Sequence, residues 1–358
     1  MRALIAAGGH ATRLRPITQT INKHLIPLAN KPMLAYAIEK LAAAGIKEVY
    51  INVNPGEQEI PKVFGDGSRW GVDIKYIEQV GGALGVAHIV KNAREYLQDQ
   101  PFVFYLGDNI ILGNLKRFVD RFERDRLDAL LALSKVRDPQ RFGVPVIENG
   151  RIVRVDEKPE NPQSDYAVTG IYLYSPAVFD YVDQLQPSAR GELEISELHT
   201  KLIEGGRAVG YEEITGWWKD TGKPDDMILG NALILAEMTR EEAAVEGEVD
   251  ATAEINGRVQ IGAGSVIGPG CVIRGPVSIG RDCRIERSYI GPFTSLGDGV
   301  QVEGAEIEHS IVFSGAQIRC ASRIVDGLIG RNAVVVPCSA SRPSGHRLVV
   351  GDHSLVEI

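Results

Sequence analysis

The stretch IGAGSVIGPGCVIRGPVSIGRDCRI, residues 261–285, places an isoleucine at every sixth position. Glycine follows the first, second and fourth of these isoleucines. One branched apolar residue per six is typical of a parallel β-helix, in which each repeat forms one flat side of a coil. The apolar side chain then points inward, and glycine serves the turn between sides. The alternative is an antiparallel β-domain with chance spacing, which five isoleucines in a single register argue against.

The period extends well beyond this stretch. It slips by one residue at Ile290, resumes through Leu296 and Val302, and continues less regularly at Val312, Ile318, Ile324 and Ile329. We therefore predict a left-handed parallel β-helix domain over residues 248–358.

The chain before residue 240 follows a different pattern, in which short apolar runs alternate with amphipathic segments. An alternation of strand and helix favours a mostly parallel, Rossmann-like sheet with helices on both faces. Such sheets bind ligands outside the carboxyl ends of their strands. We predict one such domain over residues 1–240, with strands at Leu4–Ala7, Val49–Val53 and Phe102–Leu106 and helices at Leu34–Ala44, Val86–Leu97 and Leu115–Arg124.

The composition excludes several classes of protein. The 358 residues include 39 basic and 47 acidic side chains, for a net charge of −8, which disfavours a nucleic-acid partner. The four cysteines have neither metal-ligand spacing nor a disulfide pattern, so we expect free thiols in the cytoplasm. No apolar run approaches the roughly 18 residues of a membrane helix, so we expect no membrane partner.

Two loops near the N-terminus carry candidate phosphate-binding residues. Gly8 and Gly9 end the first predicted strand, and Arg13 follows them. Glycines there let backbone N–H groups approach a phosphate, although a tight turn is an equally good interpretation of this loop alone. Lys23 lies in the next loop, where it either neutralises phosphate or is a solvated surface lysine.

Later positions supply carboxylates and an amide as candidate ligand-binding groups. Asp108 follows the strand Phe102–Leu106 and suits Mg²⁺, with a helix N-cap as the alternative. Glu157 could accept two sugar hydroxyls while Lys158 meets a sugar phosphate, although such a pair is often only solvated. Gln79 has an amide that suits the polar edge of a pyrimidine.

These segments together resemble the sugar-1-phosphate nucleotidylyltransferase family. The N-terminal match runs from Gly8 through Thr18 and on to Lys23 and Pro27. Further blocks follow in family order, and the β-helix with the ending HRLVVGDH (346–353) is similar to the long-form glucose-1-phosphate thymidylyltransferases of that family. The further blocks are LGDN (106–109), EKP (157–159), YAVTGIY (166–172), GELEI (191–195) and WKDTG (218–222).

The resemblance implies a role for each matching residue. The catalytic residues would be Arg13, Lys23 and Asp108, and Mg²⁺ would be held by Asp108 and Asp220. An Asx-turn is the alternative interpretation of Asp220. Nucleotide-binding residues would be Gly8, Gly9, Thr12, Arg13, Gln79 and Gly85, and sugar-phosphate-binding residues would be Gly143, Glu157, Lys158, Val168 and Gly170.

One position departs from the family pattern. Ala11 stands where the family usually has glycine, so a left-handed backbone conformation could be lost there and the loop slightly altered.

The implied reaction is transfer of a nucleotidyl group from dTTP to glucose 1-phosphate in a homo-oligomer. The alternatives are UTP as the donor, or a catalytically silent regulatory subunit of the same fold. A bifunctional enzyme is a further alternative, in which the coil transfers acyl groups from acyl-CoA. That would require a catalytic histidine and a protruding loop for CoA; His309 is the one histidine inside the repeats, with a surface residue as its alternative interpretation.

Overall fold

The computed structural model describes residues 1–9, 11–82 and 84–337. Their contacts form two compact units. The first contains the described residues of Met1–His10 and Met33–Asp220, and the second contains Ala11–Pro32 and the described residues from Thr221 onward. The predicted domain limits, 1–240 and 248–358, follow chain order and stay a prediction.

The first unit is built on a nine-stranded sheet. The chain up to Asp220, together with the helix that follows it, contains these strands and helices: β1 Arg2–Ala6, β2 Pro27–Leu28, β3 Lys31–Pro32, α1 Met33–Ala43, β4 Glu48–Val53, α2 Glu59–Phe64, β5 Asp73–Glu78, α3 Val86–Asn92, α4 Arg94–Leu97, β6 Phe102–Leu106, β7 Asn109–Ile111, α5 Lys116–Arg124, β8 Ala129–Lys135, β9 Gly143–Glu148, β10 Arg151–Glu157, β11 Tyr166–Tyr174, α6 Val178–Val182, α7 Ile195–Glu204, β12 Val209–Glu213, β13 Trp218–Asp220 and α8 Pro224–Ala236.

The sheet has a parallel half and a mixed half. Its order is β10-β9-β11-β6-β1-β4-β5, with β8 beside β11 and β12 beside β8. Strands β5, β4, β1 and β6 are parallel, whereas β11 runs antiparallel to β6, β8 and β9. The carboxyl ends of the parallel strands therefore share one edge, where Gly8, Asn54, Gln79 and Asp108 follow β1, β4, β5 and β6.

Apolar sequence in the central strands follows from burial on both faces. Strand β6 contributes Phe102, Phe104 and Tyr105, each with no exposed surface, and Tyr174 of β11 is equally buried. The three predicted strands of this half are confirmed as β1, β4 and β6.

Two of the three predicted helices are confirmed as α1 and α5, but the segment predicted as one helix over Val86–Leu97 is two helices. Between α3 and α4, the Ala93 N–H is shared by the carbonyls of Ile89 and Val90, each at 3.2 Å. This sharing tightens the chain and ends the regular helix. No helix within the described residues has both the length and the apolar character needed to cross a membrane.

The second unit contains a coil of short parallel strands stacked in three sheets. Each strand pairs with the one three strands later, so successive turns of the coil lie on one another. The predicted fold class, a Rossmann-like domain followed by a β-helix, is confirmed. The coil strands are β14 Glu248–Val249, β15 Glu254–Asn256, β16 Val259–Ile261, β17 Val266–Ile267, β18 Val272–Arg274, β19 Val277–Ile279, β20 Arg284–Glu286, β21 Tyr289–Ile290, β22 Thr294–Leu296, β23 Gln301–Glu303, β24 Glu306–Glu308, β25 Ile311–Val312, β26 Gln317–Arg319, β27 Arg323–Val325, β28 Leu328–Ile329 and β29 Val334–Val335.

The slip in the isoleucine period has a structural cause. Val266 pairs with Arg284, 18 residues later, whereas Arg284 pairs with Gln301, 17 residues later. This turn of the coil is therefore one residue shorter than the turn before it. The shortened corner between β20 and β21 contains Arg287 in the left-handed region, with φ 46°.

The interior of the coil is apolar, as predicted. The five isoleucines of the 261–285 stretch are each at most 1% exposed. Cys271 and Cys283 are also buried inside the coil, and burial raises the pKa of both thiols. Both are free thiols, as is Cys320, which confirms that prediction for the described cysteines, while Cys338 lies outside the described residues.

Candidate active site

The loop after β1 is held by carboxamides from the neighbouring strands. The Gly9 N–H donates to Oδ1 of Asn54 at 3.0 Å, and Nδ2 of Asn54 donates to the Gly9 carbonyl at 3.3 Å. A Cβ on Gly8 would lie 3.0 Å from Oε1 of Gln79 and 3.1 Å from Oδ1 of Asn54. Glycine at position 8 therefore allows the amides to approach the loop, and the backbone of residues 8 and 9 is oriented by them.

The Gln79 side chain is less open than predicted. It is 6% exposed, and its Nε2 donates to the Gly82 carbonyl at 2.8 Å. Gly85 has φ 99°, and a Cβ there would lie 2.6 Å from the Leu193 carbonyl oxygen. The structure thus assigns Gln79 and Gly85 a clear part in shaping the loop before α3, and base recognition by either residue stays a prediction.

The two predicted metal ligands are brought together by a short ribbon. Strand β7 pairs antiparallel with β13, and Asp220 is the direct partner of Asn109, the neighbour of Asp108. Nδ2 of Asn109 donates to Oδ1 of Asp108 at 2.8 Å, while Nε1 of Trp218 donates to Oδ1 of Asn109 at 2.6 Å. Asn109 therefore orients the Asp108 carboxylate. Because a strand follows Asp108, its alternative interpretation as a helix N-cap is wrong.

This donor set fits a divalent cation with a strong preference for oxygen. Asp108, directly before β7, and Asp220, in the paired strand β13, offer carboxylate oxygens, and Mg²⁺ commonly takes one or two carboxylates with water and phosphate. Across the described residues no cluster of three or more His, Cys, Asp or Glu side chains could hold a metal. Water and substrate phosphates would therefore have to complete the coordination shell.

Three predicted sugar-side residues meet on neighbouring strands. Gly143 at the start of β9 pairs with Glu157 of β10 and with Val168 of β11. A Cβ on Gly143 would lie 2.9 Å from Oγ of Ser196 and 3.6 Å from Oε2 of Glu157. Glycine therefore leaves the space beside the Glu157 carboxylate open.

The Glu157 carboxylate is held by three polar neighbours. Oγ of Ser196 donates to its Oε2 at 2.5 Å, and Nζ of Lys158 lies 3.2 Å from its Oε1. Nη2 of Arg190 donates to the same oxygen at 3.2 Å and also pairs with Glu194 at 2.7 Å. The hydrogen-bonded Glu194 carboxylate raises the pKa of Arg190. Two cations thus contact the Glu157 carboxylate, and the half-exposed ammonium of Lys158 is accessible to a phosphate.

Aromatic contacts connect the sugar-side residues to the carboxylate ribbon. Phe142, which precedes Gly143, makes an edge contact with Trp218 at 5.2 Å between ring centroids. The Phe142 carbonyl accepts the Lys158 N–H at 3.0 Å. Gly170 lies next to Asn109 of the ribbon, because a Cβ on Gly170 would be 2.7 Å from Nδ2 of Asn109. The predicted sugar-phosphate residues are therefore close to the predicted metal ligands.

The remaining predicted residues, Thr12, Arg13 and Lys23, belong to the second unit. A 3-10 turn at Thr12–Leu14 follows Ala11, which has φ 43° and ψ 46°. The left-handed conformation is therefore kept at Ala11, contrary to the expectation that alanine would lose it, at a cost of roughly 1 kcal/mol for a residue with a Cβ. Oγ1 of Thr18 donates to the Ala11 carbonyl at 2.9 Å and supports this turn.

The two predicted cations differ in exposure. Arg13 is exposed and makes no ion pair or hydrogen bond to any residue that the structure describes. Lys23 is only 9% exposed, in a 3-10 turn at Lys23–Leu25 that is capped by Asn22. Burial of an ammonium is costly unless its charge is compensated. Lys23 is thus not the solvated surface lysine of the alternative interpretation.

Several residues of the site were not predicted from the sequence. Asn54 and Asn109 are polar residues next to apolar strands, a signal that could have identified them. Asn52 is 1% exposed within β4, and its Oδ1 has no partner among the described residues. Arg190 and Ser196 gave no such signal, since they reach Glu157 only through the tertiary fold.

Comparison with known proteins agrees with this arrangement. A model of the nucleotidyl transferase family matches residues 2–237. A glucose-1-phosphate thymidylyltransferase of Streptomyces antibioticus is 45% identical over 360 residues, which cover 100% of this chain and 99% of that protein. The low-salt glycan biosynthesis nucleotidyltransferase Agl11 of Haloferax volcanii is 41% identical over 361 residues, with complete coverage of both chains.

A solved structure has a similar fold over 65% of the chain. The crystal structure, from Bacillus anthracis, is of a protein assigned as a glucose-1-phosphate thymidylyltransferase in complex with sucrose. It is 38% identical, with a TM-score of 0.62 over 65% of this chain and 94% of that chain. The resemblance inferred from the sequence motifs is confirmed: the chain belongs to the nucleotidyl transferase family, as a nucleotidyltransferase.

Proposed function

We propose that the protein transfers a thymidylyl group from dTTP to glucose 1-phosphate and releases pyrophosphate. The observation that carries this proposal is the meeting of Gly143, Glu157 and Val168 beside the ribbon of Asp108 and Asp220. A sugar-binding carboxylate, flanking cations and a pair of metal-binding carboxylates are what the attack of a sugar phosphate on a nucleotide requires. The choice of dTTP and glucose 1-phosphate is supported by the full-length relative from Streptomyces antibioticus.

In the proposed step, one oxygen of the sugar phosphate forms a bond to the α-phosphorus of dTTP. The bond from that phosphorus to the oxygen bridging to the β-phosphorus breaks, and pyrophosphate leaves with the electron pair. The enzyme forms no covalent intermediate, so its task is to position the reactants and neutralise charge.

Each residue has a distinct part in this step. Glu157 accepts hydrogen bonds from hydroxyl groups of the glucose, and Lys158 binds the attacking phosphate. Arg13 and Lys23 bind the triphosphate. The backbone of Gly8 and Gly9, with Thr12, Gln79 and Gly85, forms the nucleoside side, and Gly143, Val168 and Gly170 leave room for the sugar phosphate.

A divalent cation, which we propose to be Mg²⁺, would be held by Asp108 and Asp220. Bound there, it would neutralise negative charge on the phosphate oxygens near the α-phosphorus. Asn109, itself held by Trp218, orients the Asp108 carboxylate for this task.

The coil gives little support to a second, acyl-transferring activity. His309 contacts Asp326 through Nδ1, and its ring meets Phe293 edge-on at 6.2 Å between centroids. Between Glu248 and Val335, a range that the structure describes in full, no connection between successive strands exceeds four residues. A protruding loop for acyl-CoA is therefore absent from this range. Assembly into a homo-oligomer stays a prediction, which sedimentation equilibrium would test.

The proposed function is tested by measuring pyrophosphate release with Mg²⁺. dTTP, UTP, GTP, CTP and ATP are each paired with glucose 1-phosphate and with other hexose phosphates. We expect the highest kcat/KM for dTTP with glucose 1-phosphate. A preference for UTP would change the donor but keep the mechanism. No release from folded protein with any pair would instead favour a silent regulatory subunit.

A further inference from the structure

The hairpin of β2 and β3 ends in an unusual turn within the second unit. Its two central residues, Ala29 and Asn30, both have left-handed conformations, with φ 45° and 63°. Leu28 and Lys31 pair on either side of them. Two successive left-handed residues make a tight two-residue turn that suits a hairpin, and asparagine tolerates this conformation better than most residues.

The Asn30 side chain is inserted between two turns of the coil. Its Nδ2 lies 3.1 Å from the Ser278 carbonyl oxygen, 3.0 Å from Ser278 Oγ and 2.8 Å from the Leu296 carbonyl oxygen. Ser278 belongs to β19 and Leu296 to the neighbouring strand β22. One carboxamide therefore bridges adjacent strands of one coil sheet.

A second contact fixes the other residue of the turn. The Ala29 N–H donates to Oδ1 of Asn231, in α8, at 2.8 Å. The same oxygen accepts from Oγ of Ser295 at 2.9 Å, and Nδ2 of Asn231 donates to the Phe293 carbonyl at 3.0 Å. Asn231 and Ser295 have no exposed surface. Buried, hydrogen-bonded polar groups hold a specific geometry, because an unpaired group there is costly.

The anchored hairpin lies directly after the segment that carries Lys23. The whole stretch Ala11–Pro32 packs with the coil as part of one compact unit. Earlier in this stretch, Ile17 also reaches the coil, since a Cβ on Gly330 would lie 3.4 Å from its Cδ1. The segment with Arg13 and Lys23 is thus attached to the coil at two places.

We propose that Asn30 is a positioning residue for the triphosphate of the nucleotide, acting through the segment that carries Arg13 and Lys23. The coil then supports the segment that carries Arg13 and Lys23. This inference rests on the proposed function, in which that segment binds the triphosphate. Reactions that depend on positioning lose about 100-fold in rate for a displacement of about 1 Å.

The test compares three variants of the full-length protein. Asn30→Gly keeps the left-handed backbone and deletes only the carboxamide, while Asn30→Asp keeps the size but offers no donor to three acceptors. Ala29→Gly is the matched control, because it keeps the N–H that Asn231 accepts. We expect both Asn30 variants to raise the KM for dTTP by about tenfold. This is the effect expected from losing about one hydrogen bond between uncharged groups. The KM for glucose 1-phosphate should change less than about twofold, since its ligands lie in the other unit.

Amide hydrogen exchange without nucleotide gives a readout that does not depend on activity. In Asn30→Gly we expect faster exchange in residues 11–32 and unchanged exchange in the coil strands. An unchanged KM for dTTP in both Asn30 variants would overturn the proposal, even with faster exchange. If the wild-type protein turns over no triphosphate, the proposed function fails and no KM can be measured. Hydrogen exchange then tests the anchoring of residues 11–32 by Asn30: faster exchange in Asn30→Gly supports it, and unchanged exchange overturns it.

Discussion

Asp108 directly precedes β7, and Asp220 ends the paired strand β13, so replacing either carboxylate by an amide removes a charge from the proposed metal site. We expect Asp108→Asn and Asp220→Asn each to lower kcat/KM by about 100-fold, as loss of one preorganised charge interaction commonly does. Asp120→Asn, at an exposed position of α5, is the matched control and should keep wild-type activity. Initial rates at saturating Mg²⁺ measure the effect, and unchanged rates in both site variants would exclude the proposed ligands.

Lys158 offers a test of the sugar side. Its ammonium lies 3.2 Å from Glu157 and is half exposed, so it is available to a phosphate. Lys158→Ala should raise the KM for glucose 1-phosphate by about tenfold, the loss of one charge-assisted hydrogen bond. The KM for dTTP should change much less, and Lys201→Ala on α7 should change neither. Equal increases in both KM values would contradict the assignment of Lys158 to the sugar phosphate.

At the scale of single residues, sequence motifs predicted much of the site but not its supports. Gly143, Glu157 and Val168 were found through their motif blocks, and pairing of three strands brings them together. Arg190 reaches Glu157 across 33 residues of chain, a distance that no local pattern predicts. The left-handed conformation of Ala11 was also missed, because a Cβ disfavours that conformation but does not forbid it.

At the scale of elements, the packing of α7 on β11 buries a titratable pair. Nε2 of His199 lies 2.6 Å from Oη of Tyr174, and neither residue has exposed surface. Burial lowers the pKa of His199 to about 3, far below that of an unfolded histidine. The unfolded chain therefore binds a proton between pH 6.5 and pH 3 that the folded chain does not, so stability falls as the pH falls through this range.

His199→Gln tests this pH dependence, because glutamine cannot titrate but can still accept the Tyr174 hydroxyl proton. The wild-type protein should lose on the order of 3 kcal/mol more than the variant between pH 7 and pH 4. Urea unfolding at a series of pH values measures the difference. Parallel stability curves for the two proteins would show that His199 does not titrate differently in the folded state.

The elements themselves were predictable where their signal is local. The coil was found because each inward isoleucine recurs at a fixed spacing, and the slip at Ile290 marks a real shortening of the coil. The break in the helix at Ala93 could not be predicted, because alanine favours helix and the apolar period of the sequence continues through this position. There the hydrogen-bond geometry of one turn outweighs local propensity.

At the scale of the whole molecule, the two compact units are not continuous in the sequence, because each contains two separate segments of the chain. The segment Ala11–Pro32 belongs to one unit with the described residues from Thr221 onward, although the chain continues from it into α1 of the sheet unit. Asn30 and Ser278 are 248 residues apart, so only the folded structure shows their contact. The sequence therefore predicts two kinds of architecture correctly but not which unit holds Arg13 and Lys23.

The central claim, transfer of a thymidylyl group to the phosphate of glucose 1-phosphate, is tested most directly by following an isotope label. The protein is incubated with dTTP, Mg²⁺ and glucose 1-phosphate that carries ¹⁸O in its phosphate, and the products are identified by mass spectrometry. Attack by the sugar phosphate on the α-phosphorus predicts dTDP-glucose that retains the whole label, with unlabelled pyrophosphate. Label in pyrophosphate, or no sugar nucleotide from folded protein, would contradict it.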